Sequence, residues 1–343
     1  MENWREELRV DPIQALISSS NKAIEYFVRR DLLNEKVEPI QTLWESPEVK
    51  RILHRQQENG SWKYPGGGKE HLRSQEDYNQ IETYRNLGIL IEKYGLENRH
   101  PAIERAAKFL FSKQTPKGDF RGIYGNQYSP NYSAAIMELL IKAGYDGDSR
   151  IEKGFGWLLS MRQNDGGWAI PLRTVSAKYA DALNAETIEP DPAKPFSHLV
   201  TGIVLRAFAA SQKYSKSPEA VAAGKLLASR FFKKDVYPDR NTPQYWERVS
   251  FPFWFTDIVS ALDSLSVMGF TRDSSHIDNA LNWLKSRQKD NGLFELKIVR
   301  GKDKDSRFWI CLAICRLFKR FYGSTSPRAR PQQPVNFLNT TTS

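Results

Sequence analysis

Asp257 is the side chain with the clearest chemical potential in this chain. It follows the aromatic run Phe251-Pro252-Phe253-Trp254-Phe255 and precedes the apolar pair Ile258-Val259. A carboxyl desolvated among such rings rises in pKa and can act as a general acid. The same place, close to a helix N-terminus, also suits a carboxylate that only answers the helix dipole. Glu82 is the second candidate acid, one position before Thr83 and pointing nearly the same way as Thr256 on its own helix. Around these acids the sequence sets the rings of Trp254, Phe255, Phe253, Trp309 and Tyr132. Aromatic walls suit an apolar ligand, and their faces stabilise cations. Arg307 would pair with a carboxylate or hold a ligand phosphate. Asp77 and His198 read as helix caps or as residues at the mouth of the same cavity.

These residues share a register, which the rest of the chain must supply. Four apolar segments end in glycine at Gly95, Gly144, Gly269 and Gly323, where a left-handed residue satisfies the last helical carbonyls. Counting back twelve residues from each gives Thr83, Tyr132, Asp257 and Cys311. Segments such as Ala134-Ala135-Ile136 and Val259-Ser260-Ala261-Leu262 are apolar on most faces, as buried helices are. A fifth segment from His198 to Tyr214 lacks the glycine, and a helix from Asp11-Pro12 to about Leu33 makes six.

Between them runs a second set of helices, marked by a recurring phrase. A helix end is followed by Gln, a Gly-containing turn and an aromatic residue: Gln57/Gly60/Trp62, Gln114/Gly118/Phe120, Gln163/Gly166/Trp168 and Gln288/Gly292/Phe294. The stretch from Pro218 to about Lys234 occupies a fifth place without the phrase. Tandem units of this length bury their apolar faces only against their neighbours. Six inner and five to six outer helices close into an all-α fold, an α/α toroid over residues 1–323. Residues 169–195 form a proline-containing connector long enough to need a function, and a lid over one mouth is the expectation. The polar, proline-rich stretch 324–343 reads as a disordered tail.

Composition narrows the function classes. The chain of 343 residues is 40% hydrophobic and 26% charged, which excludes a disordered chain. Fifty basic against forty acidic residues give a net charge of +10, but the two signs are interspersed. No basic stripe interleaved with aromatics marks a nucleic-acid surface. The densest basic run, Arg316 to Arg330, reads as a solvated helix end. Two cysteines, Cys311 and Cys315, cannot form a disulfide framework and suit a reducing compartment. No apolar run spans a bilayer, and the N-terminus lacks the apolar core of a secretory signal. The expected location is cytoplasmic, with peripheral membrane contact left open.

The Gln-Gly-Trp/Phe phrase resembles the QW repeat of the terpenoid-cyclase and protein-prenyltransferase superfamily, which includes squalene–hopene cyclases. The resemblance covers about residues 44–323 and implies an α/α toroid with an isoprenoid or similar apolar ligand in its cavity. In that superfamily the Gln and the aromatic ring are structural. Its catalytic signatures are missing here. Asp303-Lys304-Asp305-Ser306 is the nearest approach to an Asp-x-Asp-Asp acid motif and lacks the third acid. There is no Asp-x-Cys zinc motif and no Asp-Asp-x-x-Asp diphosphate motif. A zinc set from Asp257, Cys311 and His198 ranks below cap and core roles, and no cofactor is expected. Three functions therefore stay open. One is acid-catalysed isoprenoid chemistry through Asp257, with Glu82 second. Another is a toroid that binds without catalysis. The last is a carbohydrate-active toroid pairing Asp77 or Glu82 with Asp257 across the cavity.

Overall fold

A computed structural model describes residues 4–66, 73–239, 241–299 and 303–323. The tail at 324–343 lies outside the described residues. Helices come in pairs along the chain: α1 (Ile13–Ile17) with α2 (Lys22–Phe27), α3 (Pro47–Leu53) with α4 (Gln75–Tyr94), and α5 (Pro101–Phe111) with α6 (Pro130–Leu140). Then follow α7 (Ser149–Ser160), the short α8 (Pro171–Thr174) and α9 (Tyr179–Ala182) of the connector, and α10 (His198–Ala210). The last pairs are α11 (Pro218–Ala228) with α12 (Ile258–Val267) and α13 (Ser275–Ser286) with α14 (Ser306–Gly323). The inner helices α2, α4, α6, α10, α12 and α14 pack each against the next, and α14 returns to α2. The fold is all-α and toroidal. Its only strands among the described residues, Arg248–Val249 and Lys297–Ile298, form a short parallel pair between two loops. No helix among the described residues is long and apolar enough to cross a membrane.

The expected helix from Asp11 to Leu33 is two helices. Asn21 caps the second by accepting the amide N–H groups of Ala23 and Ile24, after a break at Ser20, whose φ is +56°. Short polar side chains at 18–21 compete with the backbone and stop the first helix. α1 thereby becomes the sixth outer element, and α2 the inner one.

The repeated phrase is a joint between successive outer helices. An isolated antiparallel bridge closes each turn, pairing Gln56 with Trp62, Gln114 with Phe120, Arg162 with Trp168 and Gln288 with Phe294. Two carriers thus shift by one residue, from Gln57 to Gln56 and from Gln163 to Arg162. Gln114 shows the joint in full. Its amide donates to Gly118 O at 2.8 Å inside the turn and to Arg150 O at 2.9 Å on α7. Gln56 does the same with Gly60 O and Ala102 O of α5. In the third copy the work is divided: the Arg162 guanidinium holds Gly166 O, while Gln163 reaches Asp191 O and Lys194 O in the connector. The glycines are needed twice over. Gly60 and Gly118 sit at φ of +87° and +109°, and a Cβ there would meet the carbonyl oxygens of Arg105 and Lys153 at 2.2 and 2.7 Å.

The aromatic residue of each joint then seals the core. The buried Trp62 and Trp168 donate their indole N–H groups to Ile52 O and Leu158 O at 2.8 and 2.7 Å. Their backbone N–H groups, with that of Phe120, donate to inner-helix hydroxyls: Thr83 at 3.1 Å, Thr201 at 2.9 Å and Ser133 at 2.9 Å. Thr83 stands at its counted register position; in α6 the contact belongs to Ser133 and not to Tyr132, and Thr201 supplies it in α10, which lacks the terminal glycine. Gln288 repeats the joint on the first segment of the chain, donating to Val10 O at 2.7 Å. That bond joins the last outer helix to α1 and completes the ring.

Candidate functional site

The loop before α12 turns the aromatic run toward the middle of the ring. Pro252, after a cis peptide bond, lies over Gly88 of α4, where a Cβ would meet it at 3.6 Å. Phe251 stacks on Trp309 of α14 at 5.6 Å and 9°, and Phe253 stands edge-on to Phe251. Trp254 meets Tyr84 of α4 edge to face at 5.0 Å. This loop is one wall of a cavity of about 810 Å³ that runs along α4. Ile89 and Leu139 add to its apolar side, and Arg85 lies 5.4 Å from the rings of both Tyr64 and Trp254.

The rest of the lining is charged and largely paired. Arg85 Nη1 is 3.2 Å from Glu82, and Lys93 Nζ is 2.6 Å from Asp303. Deeper in, Glu138 of α6 takes Arg206 Nε of α10 at 2.8 Å and Lys142 Nζ at 2.8 Å. Lys142 also reaches Glu92 at 2.5 Å, and Arg206 donates to the Tyr84 hydroxyl at 3.2 Å. Burial alone would push the Glu138 carboxyl up, but Arg206 and Lys142 outweigh it and hold it below its ordinary range. Lys93 does the same for Asp303, again against burial.

The sequence candidates divide. Trp254, Phe253 and Glu82 line the cavity, whereas Trp309 is buried behind Phe251. Phe255 is half-buried at the head of α12. Asp257 is not just inside that helix but its N-cap. Its Oδ1 accepts the amide N–H groups of Val259 and Ser260, both at 2.9 Å, and Ser260 Oγ takes the Asp257 N–H in return. Its Oδ2 is buried without a hydrogen-bond partner, and burial pushes the carboxyl up to about 7. Asp257 does not line the cavity. Asp77 forms the matching capping box at the start of α4 with Ser74. Glu82 and Asp257 therefore do not face each other across the cavity, nor do Asp77 and Asp257.

His198, first residue of α10, is buried on Trp246 at 4.7 Å with its Nδ1 3.3 Å from Asp235, and burial pushes it down to about 4. Tyr132 packs beside Tyr124 at 5.5 Å. Arg307 is exposed, with its guanidinium 4.7 Å from the Phe308 ring, and lies outside the cavity. Among the described residues no three His, Cys, Asp or Glu side chains assemble as a metal-ligand set.

The central ion cluster was missed from sequence. Its signal was there: Glu138 and Arg206 are lone charges in Ala-Ala-Ile-Met-Glu-Leu-Leu and Ile-Val-Leu-Arg-Ala-Phe. A charge placed inside a helix that is buried on every side needs a partner.

The connector is tied to segments that precede two of the inner helices. Gln127, just before α6, donates to Ala182 O at 2.6 Å and Glu186 O at 3.0 Å. Arg73, before α4, reaches Asn184 at 3.0 Å, and Arg173 clasps Asp239 with two bonds.

The closed ring of paired helices defines the class, an α/α toroid. The profile of the squalene-hopene cyclase C-terminal domain matches residues 77–194 and 148–298, and the chain belongs to that family. Similar solved structures include a variant of the type II terpene cyclase MstE from Scytonema, 12% identical, with 82% of this chain and 84% of that one covered and a TM-score of 0.43. A protein from Actinoplanes is 14% identical over 82% and 87% of the two chains, with a TM-score of 0.40. A family 88 glycosyl hydrolase from Bacteroides vulgatus is 14% identical over 90% and 97%, with a TM-score of 0.41. Comparison with curated proteins finds no match.

Proposed function

We propose that this toroid binds an elongated, isoprenoid-like ligand with a polar end in the cavity along α4, and that it does so without acid-initiated catalysis. The apolar body of the ligand lies on Phe253, Trp254, Ile89 and Leu139. Its polar end meets Glu82 and Arg85, whose Nε is buried without a hydrogen-bond partner. The volume of about 810 Å³ falls among those of small-molecule sites. One observation carries the choice of binding over catalysis. Among the described residues, four of the six cavity carboxylates, Glu82, Glu92, Glu138 and Asp303, are ion-paired to a base, Asp305 accepts the Asn21 amide at 2.7 Å and Glu48 is exposed, while the carboxyl raised to about 7, Asp257, is a helix cap outside the lining. An acid that starts a cyclisation must hold its proton at working pH and touch the substrate.

Calorimetric titration with long-chain prenyl alcohols, alongside native mass spectrometry of the purified protein for co-purifying lipid, tests this. Trp254→Ala should weaken binding about tenfold, the loss of one buried aromatic contact, and Asp257→Asn should leave it unchanged. Turnover of a prenyl diphosphate or squalene that Asp257→Asn abolishes would establish the enzyme instead. Absence of any binding would remove the ligand reading altogether.

A further inference from the structure

The described part of the basic run that the sequence presents as a solvated helix end is half-buried on α14. Arg316, Lys319 and Arg320 of α14 converge with Arg30 and Lys142 on a second cavity, of about 990 Å³, which shares only Glu92 with the first. It opens beside the ends of α4 and α14, at Gly95 and Gly323. Its lining carries six basic side chains against three acidic ones.

The basic groups are ordered. The Arg30 and Arg316 guanidiniums each lie 4.7 Å from the centroid of Phe27 and share one carboxylate, Asp31, at 2.5 and 2.6 Å. Arg320 is fixed by Asp263 and by Ser266 Oγ. Lys319 donates to neutral oxygens, Asp31 O and Asn34 Oδ1, and burial lowers its pKa. One acid between two arginines leaves guanidinium N–H donors for another anion. Trp4 and Leu33 give the cavity an apolar side. Helix C-termini place about half a negative charge each at such a mouth, which offsets part of the basic excess but not all of it.

We infer that this second cavity binds a phosphate-bearing organic molecule, either a free phosphate ester or diphosphate or the headgroup of an anionic lipid, through Arg30, Arg316, Lys319 and Arg320. The site is independent of the prenyl-binding cavity.

The test uses the full chain at low salt. Sodium diphosphate is titrated calorimetrically, and vesicles of phosphatidylcholine with phosphatidic acid are sedimented with the protein. Lys319→Gln should weaken binding about tenfold, the worth of one charge-assisted hydrogen bond. Asp263→Asn removes a competing carboxylate and should strengthen binding several-fold, a gain that misfolding cannot mimic. Binding of diphosphate alone identifies a soluble phosphate compound, and binding of vesicles identifies a headgroup. Both support the site, and in either arm affinity should fall as salt rises. The inference is overturned if neither probe binds. It is equally overturned if wild type, Lys319→Gln and Asp263→Asn bind alike, since the cations would then serve only the helix ends.

Discussion

Replacing Asp257 with Asn should stabilise the protein at neutral and alkaline pH while leaving it little changed near pH 5. The Asp257 carboxyl is buried and pushed up to about 7, with Oδ1 on two helix-start N–H groups and Oδ2 unpartnered. In the unfolded chain an Asp titrates near 3.9, so between about pH 4 and 7 the folded state holds the proton more tightly. Stability from this group is fully present below the unfolded value and is lost as pH rises toward 7. A shift from 3.8 to about 7 corresponds to a loss on the order of 4 kcal/mol. Asn keeps an equivalent capping acceptor and carries no charge to desolvate, and the lost attraction of a carboxylate to the helix N-terminus returns at most about 1 kcal/mol of that. The gain of Asp257→Asn over wild type should therefore reach about 2–4 kcal/mol at pH 8. His198 works in the opposite sense. It is pushed down to about 4, so its contribution to stability grows as pH rises from about 4 to 6.5. In wild type the two slopes largely cancel, and only the difference between variant and wild type isolates Asp257. Urea unfolding of both proteins from pH 5 to pH 8 measures it. A difference that stays constant with pH, or an Asn variant less stable at pH 8, would refute the account of a buried, destabilised carboxylate.

Two further substitutions probe the scaffold. Trp168→Ala should cost about 3–5 kcal/mol, because the ring is fully buried beside Phe208 and its N–H is bonded to Leu158; an unchanged melting temperature would overturn this. Glu138→Gln should cost about 3–5 kcal/mol by leaving the buried Arg206 without its carboxylate, and the loss should shrink when Arg206→Met is added, as a double-mutant cycle will show.

The scaffold was legible because its signals repeat. A glycine with an aromatic residue two positions on, and a glutamine three or four before it, marks each joint, and apolar runs ending in glycine mark four of the inner helices. Local exceptions were not legible. Gln56 and Gln57 are adjacent glutamines, and only the closed turn shows which one reaches the next helix. The break at 18–21 carries neither glycine nor proline. The site was harder still. Asp257 and its aromatic neighbours form a local cluster in the chain, but a capping geometry turns the acid away from the cavity its neighbours line. The charges that do line it come from α3, α4, α6 and the loop before α14, far apart in sequence, and only ring closure brings them together.

The bond from Gln288 to Val10 also governs how such a chain can be made. An open stack of helical pairs gains stability with each unit added, so its first pairs can settle before the last exist. A ring cannot. Until α13 and its turn emerge, α1 has no partner at that joint, and the first and last pairs expose the faces they will later share. Cooperative completion should therefore be late and involve both ends of the domain at once. By the same geometry, a chain cut at one of the surface joints and rejoined across the α14–α1 seam would traverse the same ring from another starting point.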